Sequence, residues 1–293
     1  MNSAAHIQPD MSAEAFNAFA QIAYGNWGLV LVPEKRAMVA SRLRHRVRAC
    51  GLNGFDAYQK LVQSDAGAGE LAHMISALTT NVSHFFREPH HFDLLTQEVL
   101  PHAKRALAEN GRFRIWSAGC SNGQEPYSIA MHLLDAAPEL ASANFRILAT
   151  DVDPKVIQFA QTGTYDDALL RGVPDDFRKR FTTPMNGGAS MSDSLRNLIT
   201  FKRLNLLEDW PMTGQFDAIF CRNVVIYFDQ TTQDALWPRF HAAVAPFGML
   251  FLGHSERIQD CEKFGFRPAG ATAFRKPGSL APHPNERTEN GVA

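Results

Sequence analysis

Residues 113–134 read FRIWSAGCSNGQEPYSIAMHLL, and this stretch decides the fold. Its apolar start, Phe113–Trp116, predicts a strand, and the segment from about Tyr127 to Leu134 predicts a helix. The loop between them contains Gly119 and Gly123, and glycine allows a tight turn and a close approach of the backbone to a ligand. A strand, a glycine-containing loop and a helix in this order are typical of the first ligand-binding turn of an open α/β sheet.

This loop does not have the spacing of the common phosphate-binding loops. Its glycines follow neither GxGxxG, the pattern of a dinucleotide site, nor GxxxxGK[ST], the pattern of a nucleoside triphosphate site. The loop also holds Glu125, and an acidic side chain attracts an ammonium group and repels a bare pyrophosphate. These residues favour a ligand without phosphates.

Asp151 is a second acidic residue, and it directly follows the strand predicted at Phe145–Thr150. A carboxylate at the end of this second strand can accept both hydroxyl groups of a ribose. The alternative is that Asp151 caps the helix predicted from Pro154. A ligand with a nucleoside, an amino-acid end and no phosphates describes S-adenosylmethionine.

Short apolar runs and amphipathic stretches alternate through the rest of this region. Further strands are predicted at 199–202, 216–221, 249–252 and 273–275, and further helices at 154–161 and 231–244. This alternation predicts a doubly wound parallel sheet with helices on both faces. Arg222 and Asn223 follow the strand at 216–221, at the edge where open α/β sheets bind their ligands.

Three other segments do not show this alternation of predicted strands and helices. Residues 12–76 predict helices, with Ser12 as a candidate N-cap, and the helical stretches are 34–50, 55–62 and 71–78. Residues 182–196 are polar and rich in glycine and serine, which predicts an inserted loop or small hairpin. From Pro277 onward large apolar residues are almost absent, which predicts a disordered tail.

The composition excludes several classes of protein. The chain has 293 residues, 45% of them apolar, and a net charge of -1, so a large core is expected and any polyanion-binding face must be local. The four cysteines are far apart, as in reduced cytosolic proteins. Neither a signal peptide nor a membrane-spanning run is visible, so we expect a cytoplasmic location and no glycosylation at the Asn81-Val82-Ser83 sequon.

Several stretches, taken together and in order, resemble the chemotaxis receptor methyltransferase family, CheR. They are LTTNVSHFFREPHHF (78–92), RIWSAGCSNGQEPYSIA (114–130), ATDVD (149–153), NLLED (205–209), FDAIFCRNVVIYFD (216–229) and FLGHSE (251–256). The resemblance covers about residues 12–276. It implies transfer of a methyl group from S-adenosylmethionine to glutamate side chains of chemoreceptors, which gives glutamate methyl esters.

The resemblance also implies a division of the chain. An N-terminal all-helical domain would span 1–78, an interdomain linker 79–95, and a Rossmann-like S-adenosylmethionine-dependent methyltransferase domain 96–276. That α/β domain would carry a small inserted β-subdomain at about 165–204, and the tail would span 277–293.

The family's site residues carry over position by position. Residues implied to bind the cofactor are Asn81, Ser83, Arg87, Glu125, Asp151, Asn205, Leu206, Arg222 and Asn223. Arg87 and Tyr227 are implied to act at the reacting centre. The sequence departs from the family where Ser83 replaces a common threonine, and where Asn122 and Gln124 replace common threonine and glutamate.

Residues 78–92 contain three histidines and three phenylalanines, which could bind a metal ion or pack in the protein interior. The histidines at 84, 90 and 91 lack the i, i+4 spacing of a helical metal pair and have no partner cysteines nearby, so we expect no metal site. The phenylalanines at 85, 86 and 92 are expected to pack the joint between the two domains.

The segment Lys35–Arg48 carries six basic residues and no acidic one. Such a run is commonly a solvated helix face, and a nucleic-acid patch is disfavoured because aromatic residues are few. The resemblance supports docking to the glutamate-rich helical bundle of a chemoreceptor through electrostatic complementarity. We expect no nucleic-acid partner, no membrane insertion and a monomer. The short hairpin within 182–196 suggests a member that does not bind a receptor's C-terminal peptide.

Two alternatives remain at this stage. One is a methyltransferase of the same fold with another acceptor, including RNA, although no NPP[FY] signature of amino methylation is present. The other is a non-catalytic signalling adaptor that binds the cofactor only as a ligand.

Overall fold

The computed structural model describes residues 11–79 and 81–278. The described residues begin with four helices, α1 (Ala13–Trp27), α2 (Arg36–Ala49), α3 (Phe55–Val62) and α4 (Ala68–Leu78). Ser12 caps α1 as predicted, because its side chain accepts a hydrogen bond of 3.0 Å from the backbone N–H of Ala15. The inner faces of the four helices form one apolar cluster that contains Phe19, Leu43, Tyr58 and Met74.

Helix α4 begins three residues earlier than the predicted Leu71, because the glycines before it do not act as breakers. Gly67 lies against α3, where a Cβ atom would come within 1.9 Å of the Leu61 carbonyl oxygen. The glycine therefore allows two helices to pack closely.

A longer helix leads from the helical part to the sheet. It consists of α5 (His90–Leu94), a π-helical turn (Leu95–Val99) and α6 (Leu100–Ala108). One residue, Leu100, separates the π turn from Pro101, which has no N–H group for the regular helical bond. This helix was not among those predicted from the sequence.

The strands of the described residues are β1 (Phe113–Ala118), β2 (Phe145–Asp151), β3 (Thr164–Asp166), β4 (Thr182–Met185), β5 (Gly188–Met191), β6 (Ile199–Arg203), β7 (Phe216–Cys221), β8 (Val244–Leu252), β9 (Arg267–Gly270) and β10 (Ala273–Arg275). Seven of them form the main sheet, in the order β6-β2-β1-β7-β8-β10-β9. The remaining helices are α7 (Gln124–Ala136), α8 (Pro154–Thr162), α9 (Asp175–Phe181), α10 (Asp193–Arg196) and α11 (Gln230–Ala243).

The α/β prediction is confirmed, and the parallel arrangement holds for the five strands β6, β2, β1, β7 and β8. It is wrong at one edge, since β10 runs antiparallel to β8 and β9 antiparallel to β10. A two-residue turn between Gly270 and Ala273 connects these last strands, and such a turn permits only antiparallel pairing. Strand β1 lies between β2 and β7, so the chain order reverses direction there and leaves a crevice at the carboxyl ends of these strands.

A second sheet of three antiparallel strands, β3-β5-β4, contains the predicted hairpin, which turns at Asn186-Gly187. The strands of this small sheet lie between Thr164 and Met191, so the sheet covers less of the chain than the insertion expected at about 165–204. Strand β6 pairs with β2 in the main sheet, because the apolar residues Ile199 and Phe201 are buried there.

The expectation that the phenylalanines at 85, 86 and 92 pack the domain joint is wrong. Phe85 and Phe92 belong to the core of the sheet domain, and Phe86 packs against Phe92 and Phe177. The ring centroid of Phe85 also lies 5.1 Å from that of Tyr165, in an edge-to-face arrangement. These rings therefore fill space between the main sheet and the small sheet.

The joint with the helical part combines apolar and polar contacts, and Val152 and Tyr227 pack against the apolar cluster of the four helices. The N–H of Val30 donates to the carbonyl of Tyr227 at 2.9 Å, and Asn205 Nδ2 donates to the carbonyl of Asn26 at 2.8 Å. Across the described ranges, no helix is long and apolar enough to cross a bilayer. Most of the tail predicted to be disordered, residues 279–293, lies outside the described residues.

Candidate active site at the carboxyl edge of the sheet

A cavity of about 350 Å³ lies at the carboxyl ends of β1, β2 and β7. The structure brings every site residue predicted from the sequence to its wall, namely Asn81, Ser83, Arg87, Glu125, Asp151, Asn205, Leu206, Arg222, Asn223 and Tyr227. Trp27, Leu29 and Ile75 of the helical part also line it. The cavity therefore lies between the two parts of the chain.

Glu125 and Arg222 form a buried ion pair at the floor of the cavity. Glu125 Oε2 accepts from Arg222 Nε at 2.7 Å, and Glu125 Oε1 accepts from the Ser117 hydroxyl at 2.6 Å. Arg222 Nη1 donates to the carbonyl oxygen of Arg87 at 2.5 Å. Arg222 thus fixes the carboxylate of Glu125 and the backbone beside Arg87 at the same time.

Asp151 is buried at the end of β2, and both of its carboxylate oxygens accept backbone hydrogen bonds. Oδ2 accepts from the N–H of Ser121 at 2.8 Å, and Oδ1 accepts from the N–H of Asp153 at 3.0 Å. Burial raises the pKa of Asp151 to about 6. Each oxygen keeps a second lone pair, so the carboxylate can still accept from ligand hydroxyl groups.

The alternative that Asp151 caps α8 is wrong. Asp153 is the cap, since its side chain accepts from the N–H of Lys155 at 2.9 Å. Asp153 also accepts from Ser76 Oγ of α4 at 2.5 Å and from Asn81 Nδ2 at 2.8 Å. One buried carboxylate therefore connects α4, the segment at Asn81 and the start of α8.

Arg87 lies between two residues with left-handed backbone, since Phe86 and Glu88 both have φ of 55°. Hydrogen bonds hold this conformation on both sides. The N–H of Phe86 donates to Ser128 Oγ at 2.9 Å, and Glu88 Oε1 accepts from the N–H of His254 at 3.0 Å. The Arg87 side chain is 24% exposed and approaches Glu88 only at 4.0 Å, so its guanidinium is available to a ligand in the cavity.

The loop after β7 also has an unusual backbone. Asn223 has φ of 59°, and a Cβ atom on Gly253 would come within 2.7 Å of the Asn223 nitrogen. The buried carboxylate of Glu256 accepts from the N–H groups of Asn223 at 2.8 Å, Ile226 at 3.1 Å and Gly253 at 2.6 Å. Burial raises the pKa of Glu256 despite these bonds. Glu256 thereby positions the loop that carries Asn223 and Tyr227.

The side-chain amides of two predicted site residues donate hydrogen bonds to other groups of the protein. Asn81 Nδ2 donates to Asp153, and Asn205 Nδ2 donates to the Asn26 carbonyl. Asn205 Oδ1 accepts from the N–H of Leu207 at 3.1 Å. These two asparagines shape the wall by holding neighbouring segments, while Ser83 and Leu206 line it directly.

The three histidines of residues 78–92 have separate environments. His91 is fully buried, its Nε2 lies 3.1 Å from Thr272 Oγ1, and burial lowers its pKa to about 4. His84 and His90 are exposed. Within the described part of the chain, no three metal-binding side chains come together.

Sequence reasoning missed several residues that build this site. Glu88 adjoins Arg87, Asp153 is the second acid of ATDVD, and Glu256 ends FLGHSE, so the available signal was an acidic residue within each of these motifs. Trp27 and Leu29 carried no such signal, because their approach to the cavity depends on how the helical part docks.

Comparisons with known proteins agree with this geometry. Residues 81–273 match the family described as "CheR methyltransferase, SAM binding domain", and residues 14–79 match "CheR methyltransferase, all-alpha domain". A "Probable chemotaxis protein methyltransferase" of Rhizobium etli is 44% identical over 256 residues, covering 86% of this chain and 96% of the relative. A "Chemotaxis protein methyltransferase" of Escherichia coli is 41% identical over 269 residues, covering 90% and 91%.

Proposed function

The chain belongs to the CheR methyltransferase family, and from this premise we propose that it methylates glutamate side chains of chemotaxis receptors with S-adenosylmethionine as methyl donor. The products are glutamate methyl esters on the receptor and S-adenosylhomocysteine. The observation that carries the proposal is the convergence of all the predicted site residues on one cavity at the reversal point of the sheet.

The residues present fit this donor. A cavity of about 350 Å³ lies within the range of small-ligand sites. Asp151 can accept ribose hydroxyls, Glu125 can attract the ammonium group, and Arg87 can pair with a carboxylate. Leu206 and Trp27 supply apolar wall for an adenine ring. When bound, the donor supplies a methyl group on a positively charged sulfur.

The acceptor chemistry requires no catalytic base. A glutamate side chain with a pKa of about 4.3 is already ionised near neutral pH. Its carboxylate oxygen bonds to the methyl carbon as the carbon–sulfur bond breaks, and the electron pair stays with sulfur. The protein's task is to align the oxygen, carbon and sulfur atoms in a line. We assign this task to Arg87, which pairs with a carboxylate, and to the hydroxyl of Tyr227.

Docking of the acidic receptor bundle is assigned to part of the basic helix only. Arg46 pairs with Glu70 through two bonds of 2.8 and 2.7 Å, and Arg42 donates to the Leu78 carbonyl at 2.5 Å, so both hold α2 against α4. Lys35, Arg36 and Arg48 are exposed. These three are the cations that we assign to the receptor surface.

Labelled methyl transfer to receptor-containing membranes tests the function. We expect base-labile label on the receptor, as an ester requires, and no label on RNA. Arg36→Glu with Arg48→Glu should lower this transfer and leave cofactor affinity unchanged. Cofactor binding without transfer to the receptor would instead support a non-catalytic adaptor.

A further inference from the structure

Two apolar side chains stand exposed at the mouth of the cavity. Val82 is 75% exposed and Ile226 is 47% exposed, and both line the same cavity. Deeper in the wall, the polar residues Glu125, Asp151 and Asn205 are only 7%, 9% and 8% exposed. The cavity therefore has buried polar groups among the apolar residues of its interior and two exposed apolar side chains at its mouth, and we use the term lip for Val82 and Ile226.

The lip is held on fixed backbone. Before Val82, Asn81 donates to Asp153 at 2.8 Å, and the Asn81 carbonyl accepts from Ser121 Oγ at 2.9 Å. The N–H of Ile226 donates to Glu256 at 3.1 Å. Single exposed apolar side chains are common on protein surfaces, but two of them on anchored backbone at the edge of one ligand cavity give that edge an apolar surface that a bound partner can cover.

The basic helix is joined to a segment that borders the cavity. Arg42 of α2 donates to the Leu78 carbonyl at the end of α4, and the next residue, Thr79, lines the cavity. The basic helix carries the exposed cations Lys35, Arg36 and Arg48, and Arg87 in the cavity wall is a further cation whose side chain is 24% exposed. A partner complementary to these charges and to the lip carries acidic residues around an apolar side chain.

We propose that the lip is the docking surface for the acceptor segment and selects acidic helical segments with an apolar side chain beside the acceptor glutamate. This inference rests on the proposed receptor methylation and adds a selection step to it. Burial of the partner's apolar side chain on Val82 and Ile226 brings the neighbouring carboxylate to the opening above the buried interior.

Steady-state methylation of receptor membranes by Val82→Ser and Ile226→Ser variants tests the proposal. Each variant should raise the KM for receptor by about fivefold, since roughly one apolar side-chain contact is lost. The dissociation constant of S-adenosylhomocysteine should change by less than about twofold, because the lip lies outside the buried interior.

Met185→Ser is the matched control, since Met185 is 54% exposed on the small sheet and does not line the cavity. It should keep the receptor KM of the unmodified protein. Val82→Thr keeps the shape of valine and replaces a methyl by a hydroxyl, so it reports the loss of apolar contact even if a serine variant folds poorly.

The outcomes of these measurements distinguish failure of the proposed receptor methylation from failure of the lip proposal. If the unmodified protein does not label receptors, the proposed function fails. If it labels them and the lip variants keep its receptor KM, the lip proposal alone is overturned. A parallel loss of S-adenosylhomocysteine affinity would assign the lip to the cofactor site and overturn the proposal as well.

Discussion

At the scale of single residues, Asp151 couples cofactor binding to pH. Its pKa is raised to about 6 by burial, and only the ionised form offers both oxygens to ribose hydroxyls. The ionised fraction falls as the pH drops through 6, so we expect the dissociation constant of S-adenosylhomocysteine to rise about fourfold between pH 7.5 and 5.5. Titration calorimetry at several pH values measures this change.

Asp151→Asn provides the control, because an amide does not titrate. This variant should bind more weakly at every pH but lose the fourfold dependence, which also distinguishes Asp151 from Glu256, another carboxyl whose pKa is raised by burial. The contribution of Asp151 to the free energy of unfolding depends on pH in the opposite direction to that of a carboxylate whose pKa is lowered by folding. Because the folded pKa of Asp151 lies above its ordinary 3.8, its contribution to the free energy of unfolding falls as the pH rises from about 4 to 6. If the dissociation constant of S-adenosylhomocysteine does not change with pH in the unmodified protein, the assignment of Asp151 to the ribose hydroxyls is contradicted.

Arg87 is the residue whose loss should affect catalysis most. Removing a charged hydrogen-bonding partner of a carboxylate costs about 100-fold in rate when the contact is needed in the transition state. We therefore expect Arg87→Ala to lower kcat/KM by about 100-fold without a large shift in melting temperature. Arg267→Ala, on the edge strand β9, serves as the control and should behave like the unmodified protein. Near-normal activity of Arg87→Ala would rule out the anchoring role.

At the scale of elements, Asp153 ties helix α4, the segment at Asn81 and helix α8 together. Replacement by alanine removes the N-cap and two further bonds to a buried carboxylate, from Ser76 and Asn81. We expect Asp153→Ala to lower the free energy of unfolding by about 3 kcal/mol. Urea denaturation measures this loss.

Ser12→Ala is the comparison for Asp153→Ala, since Ser12 caps α1 with a single side-chain bond. Its loss should be about 1 kcal/mol. Equal losses in the two variants would mean that Asp153 acts as a helix cap only.

The elements also explain what could be predicted from the sequence. Residues adjacent in the chain, such as Gly119, Gly123 and Glu125, signalled a ligand-binding turn because its geometry depends on local backbone freedom. The π turn before Pro101 and the antiparallel edge strands follow from a proline without an N–H group and from a two-residue turn, and apolar periodicity reports neither cause. Partners far apart in the chain, such as Phe86 with Ser128, meet only in the fold.

At the scale of the whole molecule, the helical part closes the cavity against the sheet. Gly28 has φ of 65°, and a Cβ atom there would come within 2.7 Å of Leu207 Cδ1, so the two parts touch at close range. Tyr24 donates to Asp229 at 2.8 Å, and the N–H of Val30 donates to the Tyr227 carbonyl. Since Trp27 and Leu29 line the cavity between these contacts, a ligand there touches both parts.

Ligand binding should therefore stabilise both parts together. At about 100 times its dissociation constant, a ligand adds about 2.7 kcal/mol to the stability of the state that binds it. We expect S-adenosylhomocysteine to slow hydrogen exchange at residues 27–30 and 223–227 in parallel, as measured by mass spectrometry. The small sheet is the internal control: its N–H groups, such as that of Met191 bonded to Gly163, lie outside the cavity and should exchange unchanged. Protection limited to 223–227 would show that the helical part does not hold the ligand.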